Sequence, residues 1–368
     1  MKELSVSTLK TNTRNSNVEI VRILAALMII VAHLYSGDAG KNFSGAQQWI
    51  YVFVQSFFHA GLGVTLFMVI SGYYLIRCSE KRVTKMVSIT WCCSVVTLIG
   101  RIVCDKVFHL LSYDVSLTSL FKKLTPVTSV YYWYISCYIF LMILSPFINK
   151  AIEKISKQDF EKLIIAMLVL FYAIPTFLYT DIMGDRGKGL ITMICAYFIG
   201  AYFSKYKKEI DVKKGVLAII GINVFAFAGN MAATFVRSDT TSYPFSRECS
   251  LTTIATAVLI VILATQKSSN YKFVNIISSR TIYVYMLGGT ITGIMTAANM
   301  LSPFDNKLYL VFVVFGVSVC VYIVSVLLSY IVEYPAKLVD FIITKVLDIA
   351  KKVWSLFTAR IKNEGTDC

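Results

Sequence analysis

The chain has 368 residues, 57% of them hydrophobic and 15% charged, with a mean hydropathy of +0.67. Charged residues approach a quarter of an ordinary soluble domain, so this composition excludes a water-soluble globular protein and points to a polytopic membrane protein. The net charge of +15 reflects the Lys and Arg that collect in cytoplasmic loops of membrane proteins, and no basic stretch interleaved with aromatics lies outside the apolar runs to support a nucleic-acid partner.

Residues 1–17 are polar, with Lys2, Lys10 and Arg14. No small-residue cleavage site follows the first apolar run, so that run reads as an uncleaved first span. Apolar runs long enough to cross about 30 Å of hydrocarbon lie near 18–37, 49–76, 86–111, 130–149, 162–180, 189–204, 215–236, 250–266, 281–300 and 308–333. With the N-terminus inside, 25 Lys and Arg fall in cytoplasmic segments against 8 in outer loops. That asymmetry supports ten spans with both termini cytoplasmic. The tail places Ile342, Ile343, Val346, Leu347, Ile349 and Val353 along one helical stripe with lysines around it, which reads as an interfacial amphipathic helix on the inner leaflet. The expected organisation is an all-α polytopic helix bundle. It comprises a cytoplasmic tail (1–17), a transmembrane domain (18–335) and an amphipathic cytoplasmic tail (336–368). Nine cysteines, most inside apolar runs and none in a CxxC pair, read as small hydrophobes, and no metal site is expected.

The first span, "VEIVRILAALMIIVAHLYSG", carries two ionisable residues that hydrocarbon does not tolerate cheaply. Arg22 and His33 are eleven residues apart, which returns to within roughly 20° of the same helix face after a rise of about 16 Å. Glu19, one turn before Arg22, is its natural ion-pair neighbour. Arg22 is near enough to the inner interface to snorkel; His33 has no such escape, and an intramembrane ionisable residue of this kind reads first as part of a functional site.

These residues resemble the motif of the membrane-bound acyltransferase-3 family: an arginine, ten residues and a histidine in the first span, with Glu19 and Ala25-Ala26 around the arginine. Three further stretches agree. "LFMVISGYYLI" (66–76) is similar to the family's second-span signature, with Ser71-Gly72 followed by an aromatic, Tyr73. "EKRVTKMV" (80–87) resembles the basic loop after that span, with Arg82 at the family's arginine position. "YYWYISCYIFLMILSPFIN" (131–149) is similar to its Trp-Tyr entry and Ser-Pro exit. The resemblance runs from about residue 15 to 335. Where the family often has a histidine in a late span, "TIYVYMLGGT" (281–290) has Leu287-Gly288, leaving His33 without that companion.

The resemblance implies transfer of an acyl group, commonly acetyl, from a cytoplasmic acyl-CoA to a carbohydrate hydroxyl. The expected acceptor is a cell-surface or secreted polysaccharide or its lipid-linked precursor, and the expected location is the plasma membrane, bacterial in type. Histidine titrates near neutrality and suits a general base, a role assigned to His33, with Arg22 and Glu19 beside it in the catalytic set. Arg22, Arg77 and Arg82 are the expected phosphate-holding cations for acetyl-CoA. Ser71, Tyr73, His59, Trp133 and Tyr134 are candidates for substrate contact. For Ser71 the competing reading is close helix packing, for His59 a satisfied packing histidine, and for Trp133 and Tyr134 an aromatic belt at the outer interface. Arg101, Asp105 and His109, at i, i+4 and i+8, are expected to satisfy one another. The alternative to an enzyme is a transporter that moves acyl groups or glycan without transferring them.

Overall fold

The computed structural model describes residues 14–35, 46–113, 115–180, 182–206, 209–237, 243–301 and 309–364. Residues 1–13 of the expected N-terminal tail and 365–368 of the C-terminal one lie outside the described residues. Within them the chain is helical and has no strand. The elements are α1 (Ser16–Tyr35), α2 (Ala46–Phe57), α3 (Ala60–Tyr74), α4 (Glu80–Lys106), α5 (Leu117–Leu124), α6 (Trp133–Lys154) and α7 (Lys157–Leu168). A single π turn (Val169–Ala173) leads to α8 (Ile174–Phe177), followed by α9 (Leu190–Lys205), α10 (Val212–Arg237), α11 (Leu251–Gln266), α12 (Lys272–Ser278), α13 (Thr281–Ala297) and α14 (Leu310–Glu364). Seven helical stretches are long and apolar enough to cross a membrane; α9, α11 and α13 are apolar but shorter. Together these match the ten predicted runs. The face from which α1 starts is called inner, after the charge asymmetry.

α1 is the axis of the bundle. Ala25, Met28 and Ile29 belong to the main apolar cluster with residues of α3, α6, α9, α11 and α13. Ala26, Ile30, Leu34 and Tyr35 belong to a second cluster with Tyr51, Val284, Leu310 and Val314. Its first turn is pinned to the chain after α11. Asn15 Nδ2 donates to the carbonyls of Ala264 and Lys267, and Ser16 Oγ accepts from the Tyr271 amide and donates to Asn275 Oδ1. The perimeter is apolar and exposed, with Leu217, Val224, Phe312, Ile323, Leu327 and Ile331 among its residues, as a lipid-facing surface requires.

The predicted second run is two helices. The chain breaks before His59, whose extended backbone and Nδ1 acceptor cap α3 through the Leu62 amide at 3.1 Å, satisfying one of the orphan donors of a helix start. In α6, Pro146 has no amide to give to the Met142 carbonyl; Ser145 Oγ donates to that carbonyl instead at 2.8 Å, so the Ser-Pro pair repairs its own defect. The expected tail helix is present as a direct continuation of the last span. α14 runs unbroken past Pro335 to Glu364, about 80 Å at 1.5 Å per residue, and Lys351 pairs with Glu80 at the start of α4. The expected boundary at 335 falls inside this helix.

α3 is held by backbone approach. A Cβ on Gly72 would stand 2.0 Å from the Tyr197 carbonyl oxygen, one on Gly200 2.2 Å from that of Val69, and one on Gly63 2.5 Å from that of Ala25. Small residues allow this closeness between membrane helices. Beyond its end, Tyr197 Oη accepts from the Ile76 amide and donates to Asn149 Oδ1, whose Nδ2 donates to the Ile76 carbonyl. Gly72→Ala and Gly200→Ala should each lower stability by about 1–3 kcal/mol, the usual range for overpacking. Gly221→Ala, in the interior of α10 with nothing within 4 Å of the added methyl, should not lower it. Thermal unfolding in detergent reads both, and equal midpoints for all three variants would contradict this contact.

Candidate functional site

The inner end of α1 opens into a cavity of about 320 Å³ lined by Arg14, Glu19, Arg22, Ser71, Tyr134 and Tyr285, with Phe67, Met86, Tyr138 and Ser278 completing its walls. Arg22 projects into it through its spacing on α1. Glu19 Oε1 holds the guanidinium at 2.6 Å, with the arginine side chain 30% exposed and the glutamate 5%. The other carboxylate oxygen accepts from Ser278 Oγ. One buried carboxylate thus ties the start of α1 to the end of α12, and its arginine keeps a free edge toward the cavity. Arg14, counted from sequence only as tail charge, lines the same mouth and donates to the Asn275 carbonyl.

The walls are aromatic. Tyr134 lies 5.3 Å from Tyr285 and 6.1 Å from Phe67 between ring centroids. The expectation of Trp133 and Tyr134 at an outer interface is therefore corrected: Tyr134 is buried inside this inner-facing cavity, and Trp133 packs half-buried against the main apolar cluster. The descent has a cause in the chain. α6 begins within the bundle because the segment before it is drawn inward, the Tyr132 hydroxyl bonding Thr97 in the middle of α4 at 3.2 Å. Ser71 lines the cavity and donates back to the Phe67 carbonyl, while its neighbour Gly72 is the packing residue. Tyr73 lies outside the cavity lining and packs against the apolar core. Arg77 and Arg82 are exposed beyond the end of α3; Arg82 donates to the Arg77 carbonyl at 2.8 Å and lies close enough to Tyr138 to act on it electrostatically.

His33 is not part of this cavity. It lies on the Arg22 face of α1, opposite the exposed apolar residues Ile20 and Leu24, because nine residues from Leu24 amount to half a turn of phase. It is accessible, and Lys188 from the segment before α9 lies within electrostatic reach. Lys188 also acts on Glu248, a buried carboxyl that loss of water pushes above its ordinary pKa. In the sequence Lys188 registers only as one of the outer-loop charges and Glu248 not at all, because both sit in loops without a motif. Between the two ends, Ala26, Ile29 and Ile30 are buried, and Tyr285, which lines the inner cavity, feels the charge of Glu248 from the outer side. Along α1, buried apolar residues therefore separate the inner cationic cavity from the histidine.

The remaining sequence candidates resolve as follows. His59 is buried as the cap of α3, a structural role in place of the expected substrate contact. The Arg101–Asp105–His109 relay does not form: Asp105 pairs with Lys106 at 2.9 Å, and His109 lies past the end of α4 with φ 51°. Among the described residues no three His, Cys, Asp or Glu side chains gather as metal ligands.

Glu19→Gln should cost about 1–3 kcal/mol, since it weakens two hydrogen bonds of a buried carboxylate and leaves Arg22 unpaired. A thermal midpoint equal to that of the unaltered protein would show that the pair does not hold α1 to α12.

A family model described as an acyltransferase domain, acyltransferase 3, matches residues 15–334. Searches of curated proteins and of solved structures found no match. The matched region runs from the residue before α1 through the membrane part of α14 and takes in both Arg22 and His33; the chain belongs to the acyltransferase 3 family and is a membrane acyltransferase.

Proposed function

We propose that the protein transfers an acyl group, acetyl being the expected one, from acyl-CoA at its inner face to a hydroxyl of a polysaccharide or lipid-linked glycan presented at its outer end. The observation that carries this reading is the division of α1: a cation held toward an inner cavity and, on the same helix face about 16 Å away, a histidine accessible from the other end. Ligand pockets span about 300–1,000 Å³. The inner cavity, at about 320 Å³, suits a thioester arm and leaves the nucleotide outside. Arg14 and Arg22 at its mouth, with Arg82 beyond, offer cations to the phosphates, and arginine binds phosphate with two parallel hydrogen bonds.

In this reading His33 accepts the proton of the acceptor hydroxyl as its oxygen attacks the thioester carbonyl. The new C–O bond replaces the C–S bond, and the departing sulfur takes a proton. Ala26 and Ile29 lie on α1 between Arg22 and His33, and Tyr134 and Tyr285 wall the cavity, so in this reading productive contact requires these side chains to part, which keeps water from the thioester until then. An O-acetyltransferase of the cell envelope, in a bacterial plasma membrane, is the setting proposed for this chemistry.

His33→Ala should lower turnover by at least about 10²-fold, the lower end of what a general base contributes, in purified protein given labelled acetyl-CoA and a glycan acceptor. Full ester formation by that variant would remove His33 from the mechanism. Movement of label across vesicles with no ester on the glycan would mark a transporter. Arg22→Gln should chiefly raise KM for acetyl-CoA, with a smaller change in KM for the acceptor, and the reverse pattern would place the donor elsewhere.

A further inference from the structure

α5 is turned inside out for a soluble helix. Leu117 and Phe121 are 85% and 64% exposed and Leu124 is exposed, whereas Lys123 is buried, at 3%. The lysine is built into place: its carbonyl accepts from Ser94 Oγ in the middle of α4 at 2.7 Å, and its Nζ donates to Tyr131 Oη at 2.8 Å. Beside it stands a second cation. Arg101, on α4, is close enough to Lys123 for the two positive charges to repel; its guanidinium lies over the Tyr113 ring at 5.7 Å, and its buried Nε has no hydrogen-bond partner. Gly293 on α13 makes room for it, since a Cβ there would stand 3.0 Å from Arg101 Nη2, and the space beside Gly289, one turn earlier, is open. The nearest acid on α4, Asp105, is held by Lys106. Among the described residues neither cation has a carboxylate partner.

A buried lysine beside a half-buried arginine, with no anion between them, is costly, and an oxyanion placed there lowers the cost. Arginine and lysine together suit phosphate, the first by its fork and the second as a point charge. Leu117, Phe121 and Leu124 share the exposed face of α5, on the side of the helix away from the buried Lys123, and suit contact with hydrocarbon. We propose that Arg101 and Lys123 bind the phosphate head of a membrane lipid entering from the outer leaflet. This site lies apart from the Arg22 cavity and does not depend on the acyl-transfer reading.

Native mass spectrometry of the detergent-purified protein tests it, with phosphatidic acid, a polyprenyl monophosphate, diacylglycerol and inorganic phosphate titrated separately. At least one of the two phosphate-bearing lipids should bind, diacylglycerol should not, and Arg101→Gln and Lys123→Gln should each weaken binding at least tenfold. Tighter binding of the polyprenyl phosphate would identify a glycan carrier as the source, and tighter binding of phosphatidic acid a bulk lipid; either supports the site. Arg101 is only half-buried, so Arg101→Gln carries the test if Lys123→Gln does not fold, as judged by its thermal midpoint. Equal binding of diacylglycerol, undiminished binding by Arg101→Gln, or inorganic phosphate binding as tightly as the lipids would overturn the proposal.

Discussion

Everything at the inner end of this bundle depends on one carboxylate. Glu19 is buried beneath a cavity, and a buried charge is tolerable only when paired and hydrogen-bonded. It has both, from Arg22 and from Ser278. The ion pair fixes the phase of α1, and the phase of α1 determines which residues face inward along its whole length. Arg22 turns toward the cavity, Ala25 presents its backbone to Gly63, and His33 emerges on the same face at the other end. The cost of charge in an apolar medium thereby becomes a positioning device.

The second constraint is closeness. Glycines at 63, 72 and 200 let α3 approach α1 and α9 until backbone meets backbone, which leaves no slack between the helices that separate the two ends. Volume is left where aromatic rings meet at angles, around Tyr134 and Tyr285. The cavity is bounded by these rings and by helices whose backbones touch. In the proposed mechanism that geometry keeps the thioester from water.

The membrane spans were legible because length and apolarity are local properties. Twenty apolar residues make a span whatever they pack against. The breaks were not. His59 ends one helix and caps the next because its ring reaches the Leu62 amide, and nothing in "FFHAGLG" distinguishes that from a continuous span. The expected domain boundary falls at Pro335, yet α14 continues, with Lys351 engaged by Glu80 well beyond the proline. Arg101, Asp105 and His109 share a face only if the helix continues, and it ends at Lys106.

From the sequence alone came the helical class, the ten apolar segments, the Glu19–Arg22 pair and the common face of Arg22 and His33, because each rests on spacing within a single helix or on the hydropathy of a single run. The tertiary structure decided what those residues meet. It brought Arg14, Ser278, Tyr134 and Tyr285 around Arg22 from four separate elements, set Lys188 and Glu248 near the outer end, and turned Lys123 inward beside Arg101. Such contacts join residues far apart in the chain, 259 positions between Glu19 and Ser278, and depend on which helix faces pack together, a property of the folded bundle that no periodicity along the chain encodes.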